Sequence, residues 1–181
     1  MIESSSRAIV LVCLLTSLAV APSSAQHGST SNKQRSAQTD AVKYIGRRYG
    51  PTQPPGFKYI GGALISELGD KKEYGISEVH KGRVKALWFE YMTHRDQGGV
   101  PYWELKDVLV VPPHSSKQVL AYATCLIGNR PDKEIVAVVD YQPNEQYFTR
   151  VRRAWRANRQ TEKFEVIPTK KIKCENEGYG V

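Results

Sequence analysis

The sequence predicts an α+β fold: an antiparallel β-sheet, one C-terminal amphipathic helix and one disulfide. Three observations predict it. Segments rich in β-branched and aromatic residues, each bounded by turn residues, recur from about Phe57 onward. One stretch, 147–159, repeats its apolar residues at helical spacing. Two cysteines, Cys125 and Cys174, remain once the N-terminal leader is set aside.

The leader comes first. Residues 1–25 read as a secretory signal peptide: Arg7 gives a charged start, and Ala8 to Ala21 is an apolar core too short to span a bilayer comfortably. Ser23-Ser24-Ala25 supplies small residues for cleavage before Gln26. Cleavage there removes one base (Arg7) and one acid (Glu3), so the exported chain keeps a net charge of +8. That charge favours acidic partners without choosing among them. No second long apolar run follows, so no stable membrane span is expected, and the location is secreted, periplasmic or cell-surface. Residues 26–56 are polar at first and then rich in Pro and Gly, which reads as a flexible leader before a compact domain over 57–181. Its tyrosines and arginines, 43–59, could assist a contact by stacking, but a linker is the simpler reading.

The strands follow in order. Glu73 to Val79 is a short candidate, with a turn at Lys81-Gly82. Arg83 to Thr93, RVKALWFEYMT, has apolar residues on both parities, as a strand covered on both faces would. The loop HRDQGGVP leads into Tyr102 to Val111, giving a hairpin. Val119 to Ile127 alternates cleanly and points Cys125 inward. The turn Asn129 to Lys133 returns the chain through Glu134 to Tyr141, and Phe164 to Ile167 and Ile172 to Cys174 close it. An even pair of cysteines in an exported chain favours one disulfide, two buried thiols being the alternative. A loop of about fifty residues closed this way would contribute about 4 kcal/mol in the chain-entropy model.

The helix is placed by TRVRRAWRANRQ, Thr149 to Gln160. At 100° per residue, Tyr147, Phe148, Val151, Ala154, Trp155 and Asn158 fall in one arc, with Asn144 as N-cap after Pro143. Arg150, Arg152, Arg153, Arg156 and Arg159 then face water as a candidate anion- or partner-binding surface. A solubilising face usually mixes signs, whereas this one does not. The plainer reading is a wet face neutralised by sheet carboxylates such as Glu104 or Asp107.

Three stretches resemble the surface-adhesin E family of small exported bacterial domains. They are EYGISEVHKGRVKALW (Glu73 to Trp88), AYATCLIG around Cys125, and FEVIPTKKIKC (Phe164 to Cys174). The likeness spans about residues 70–175. It implies an antiparallel sheet with a helix, a Cys125–Cys174 disulfide and a non-enzymatic role at the cell surface. Members are associated with host extracellular-matrix proteins, a partner not carried over here, because fold does not fix function.

Catalytic signatures are scarce. The sequence has no Gly-x-Ser-x-Gly elbow, no His-Glu-x-x-His, no Cys-x-x-Cys and no phosphate-binding glycine loop. No cofactor is implied, and neither the cysteines nor His27, His80, His94 and His114 are spaced as metal ligands. The leading expectation is a non-catalytic binding or envelope-associated protein. It would contact an acidic polysaccharide or an extracellular or envelope protein, with nucleic acid the less favoured partner. The alternative is a small basic secreted hydrolase of nuclease type, with Glu90 and His94 as its acid–base groups at the 90–99 hairpin tip.

Overall fold

The computed structural model of the chain describes residues 38, 40–52, 54–67 and 70–180. The expected signal peptide and the first part of the leader lie outside these residues. The described chain is built from thirteen strands. They are β1 (Arg48–Tyr49), β2 (Lys58–Leu64), β3 (Tyr74–Lys81), β4 (Val84–Arg95), β5 (Pro101–Val110), β6 (Gln118–Tyr122), β7 (Cys125–Ile127), β8 (Arg130–Pro131), β9 (Ile135–Asp140), β10 (Tyr147–Phe148), β11 (Val151–Asn158), β12 (Lys163–Val166) and β13 (Ile172–Glu175).

These strands make three antiparallel sheets. The first has the order β1-β5-β4-β3-β2, the second β12-β11-β9-β6, and the small third β10-β13-β7-β8. The first is a meander from β2 to β5, with β1 added beside β5. Each sheet is covered by the next, so three layers of apolar side chains stack through the molecule. Ile76, Leu87 and Phe89 of the first sheet meet Val136, Val138, Trp155 and Ala157 of the second. Ala121, Ile135, Ala137 and Ala154 on the second sheet's other face meet Cys125, Phe148, Ile172 and Cys174 of the third. The outer face of the first sheet carries Val79, Ala86, Trp88 and Leu105, and it is closed by residues that precede β2. Ala41 and Tyr49 are buried there, with Tyr44, Ile45 and Phe57 packed beside them. Part of the 26–56 stretch is thus a layer of the fold, and the rings of Tyr44, Tyr49 and Phe57 gather around Trp88.

The helix expected over 147–159 is corrected: the chain there runs as β10 and β11, and the fold is nearly all β rather than α+β. The reason lies in β11's position between two sheets. Ala154 enters the layer against the third sheet, while Trp155 and Ala157 enter the layer against the first. A strand buried on both faces presents adjacent apolar residues, and a bulge between Val151 and Arg153 shifts the parity further. Together these imitate an i, i+3, i+4 pattern. The stretch Val119 to Ile127 is likewise two strands, because Ala123 takes a positive φ of 61° and sends the chain from the second sheet into the third.

The two large sheets are tied on one side. The Phe164 amide donates to Asp107 Oδ2 at 2.7 Å, the Tyr74 hydroxyl donates to Glu162 Oε1 at 2.8 Å, and Lys106 pairs with Glu162 at 3.1 Å. In the third sheet, Cys125 and Cys174 stand opposite each other on β7 and β13 and form the disulfide.

Candidate functional site

Glu90 is the side chain that needs explaining. It sits mid-strand in LWFEYM with only 1% of its surface exposed, where an ionised carboxyl is expensive. Register decides which way it points. Glu90 stands opposite Gly75, and its neighbour two residues back, Trp88, stands opposite Ser77. All four therefore belong to the outer face of the first sheet. The Tyr49 hydroxyl, carried in by β1, donates to Glu90 Oε1, and the Ser77 hydroxyl donates to Oε2 at 2.9 Å. Burial pushes the Glu90 carboxyl up to about 7, against the pull of these two donors. Burial, followed by the proximity of Glu90, raises the Tyr49 phenol far above the tyrosine range, so it remains a donor at every working pH.

Above Glu90 lies a cavity of about 410 Å³. Its floor is Gly62, Gly75, Ser77 and Glu90, its walls include Tyr59 and Trp103, and Gly50-Pro51 and Val100-Pro101 border it. The glycines let Tyr59 and Trp103 lie close against the sheet. A Cβ on Gly62 would lie 2.8 Å from the Ile76 carbonyl oxygen and 3.0 Å from the Tyr59 hydroxyl. A Cβ on Gly75 would lie 3.3 Å from the Trp103 ring. The absence of side chains here lets two aromatic rings approach the carboxyl, with β2, β3, β4 and β5 and the residues just after β1 contributing to the lining. Glu90 is the one charged side chain among the described residues lining the cavity.

The other residues singled out in the sequence fall elsewhere. His94 is exposed near the end of β4, stacked on Tyr102 with ring centroids 4.6 Å apart and bonded to Thr93 Oγ1 at 3.1 Å. Glu90 and His94 thus engage separate partners. The arginines lie on or beside β11. Arg152 Nε donates to Asp140 Oδ1 at 2.9 Å, and this contact chiefly holds the Asp140 carboxyl below its usual range. Arg156 bridges Glu134 at 2.8 Å and Asp132 at 2.6 Å, while Arg159 bridges Glu134 and Asp70, both at 2.7 Å. The neutralising acids differ from those the sequence suggested, since Glu104 serves Arg48 and Lys106 and Asp107 serves the Phe164 amide. Arg150 and Arg153 are exposed.

Among the described residues, no three His, Cys, Asp or Glu side chains converge as metal ligands, and no helix is long and apolar enough to cross a membrane. Sequence reasoning missed Ser77 and Trp103, and held Tyr49 and Tyr59 only as part of the 43–59 segment, for which a linker was the simpler reading. Its available signals were a lone acid inside an apolar strand and glycines in the neighbouring strands, Gly62 opposite Ser77 and Gly75 opposite Glu90. Compared with family models, curated proteins and solved structures, the chain matches none.

Proposed function

We propose that this protein is an exported, non-catalytic binding domain whose ligand site is the cavity over Glu90. One observation carries the reading: a buried carboxyl, fixed by two hydroxyl donors, forms the floor of a cavity walled by Trp103 and Tyr59. A concave, mainly apolar cavity with a few convergent polar groups is the usual form of a small-molecule site. The Cys125–Cys174 disulfide supports export, since such bonds persist in oxidising compartments. Hydrolysis is less well supported. A phosphodiester site needs cations aimed at the developing charge, and the described lining of this cavity contributes none. An anion-binding β11 is also less well supported, because Arg152, Arg156 and Arg159 are already engaged by four acids of the same chain.

The test is an amide-resolved NMR titration of ¹⁵N-labelled protein with phenethylamine, 2-phenylethanol, phenylacetate, glucose and a heparin hexasaccharide. Saturable shifts at Gly62, Gly75, Ser77 and the Trp103 indole with at least one of the four small molecules are expected, and Trp103→Leu should abolish them. If those four leave the cavity signals still while the hexasaccharide moves Arg150 and Arg153, the binding surface is β11 and the cavity reading is wrong.

A further inference from the structure

We infer that the cavity over Glu90 takes an organic cation, a primary ammonium or guanidinium on an apolar body, with its charge on the Glu90 carboxyl and its body against Trp103. The inference rests on the cavity being the ligand site and adds the class of ligand.

Three observations carry it. First, Glu90 receives one hydrogen bond at each oxygen, from Tyr49 and from Ser77. A carboxylate has about four acceptor positions, so each oxygen keeps one that these two donors do not use. Second, the walls are the rings of Trp103 and Tyr59, whose faces attract cations. Third, the chain carries +8 overall, yet its described cavity lining holds no base. An anion entering here would meet a carboxylate with nothing to offset it. A neutral ligand could bond to Glu90 but would leave its buried charge uncompensated. A cation removes that charge in a region of low dielectric, where opposite charges attract most strongly.

A consequence in pH follows. The groups facing Glu90 from the packed strands are Tyr49 on β1, Tyr59 on β2, Ser77 on β3 and Trp103 on β5. None is charged near neutrality. Arg48 and Glu104, paired across β1 and β5, alternate to the opposite face. Glu90 therefore titrates in an environment of dipoles, and burial leaves its empty-state carboxyl partly protonated at neutral pH. A bound ammonium would displace that proton.

The experiment is isothermal titration calorimetry of phenethylamine and of its neutral analogue 2-phenylethanol, from pH 5 to pH 8, in buffers of differing ionisation enthalpy. Phenethylamine stays charged throughout. Its affinity should rise about tenfold per pH unit at the acid end and level off above about pH 7, with net proton release below that point. The alcohol should show no such slope. Glu90→Gln should weaken the amine at least tenfold at pH 8 and the alcohol far less, so that the preference for the amine is lost. If the alcohol binds as tightly as the amine at pH 8, or the amine's affinity is flat across the range, the ligand class is wrong and the cavity reading stands. If neither compound binds, the ligand class is wrong, and the cavity reading then stands or falls on the titration with phenylacetate and glucose. Should Glu90→Gln not fold, the wild-type pH series and the amine–alcohol comparison decide alone.

Discussion

Glu90 makes a statement about stability as well as about binding. Burial raises its carboxyl from 4.5 in the unstructured reference to about 7 in the fold. Between those values the native state binds more protons than the unfolded chain, so stability falls as pH rises through this window and is flat above it. The full span corresponds to a penalty of up to ~3 kcal/mol at pH 8. Glu90→Gln keeps the shape and removes the charge. Urea unfolding should find the variant more stable than wild type by ~1–3 kcal/mol at pH 8, with the difference shrinking as pH falls and gone by about pH 4, below the unfolded value. A gap that stays constant with pH would mean that Glu90 is not the titrating group. Acids held below their ordinary range, such as Glu104 beside Lys106 and Arg48, act in the opposite direction and only at lower pH, where their protonation removes stability. The presence of this group was legible in sequence, as one acid within LWFEYM. Its partner was not, because Tyr49 lies 41 residues away and nothing local marks it.

At the scale of elements, β11 is where sequence and structure part. Arg and Ala favour helix, and the apolar spacing agreed, yet tertiary burial on two faces overrode both. β3, β4, β5 and β9 were legible because each combines β-branched or aromatic residues with clear turns at its ends. What β11 lacked was a local sign that its two faces serve different layers. Its arginines have structural work in consequence. Arg156 is mostly buried against Asp132 and Glu134, with 28% of its side chain exposed. Removing it leaves partly buried Asp132 without its cation and Glu134 with Arg159 alone. Arg156→Gln should therefore lower stability by ~1–3 kcal/mol. The exposed Arg153→Gln should stay within about 0.5 kcal/mol of wild type. Chemical denaturation of the two variants side by side is the check, and equal losses would show that the ion pairs of Arg156 contribute nothing specific.

At the scale of the whole molecule, the stacked sheets differ in how they are held. The first and second sheets share long strands and a layer containing Phe89 and Trp155, both almost fully enclosed. The third has strands of two to four residues, too short for strong pairing by themselves. It depends on its face, where Phe148 and Ile172 pack on the second sheet, and on the bond between Cys125 and Cys174. That bond closes a loop of 49 residues, which the chain-entropy model values at about 4 kcal/mol. Replacing both cysteines by alanine should cost ~2–4 kcal/mol, and the loss should be local before it is global. In native-state hydrogen exchange, amides such as Leu126 and Lys173 should lose protection first, while those of Phe89 and Val79 keep theirs. The cavity over Glu90 lies on the outer face of the first sheet, whereas the third sheet packs on the far face of the second. Phenethylamine binding should therefore survive the double substitution at temperatures where the variant remains folded. Loss of binding together with early exchange across the first sheet would mean that the layers unfold as one unit and that the third sheet is part of the site's support.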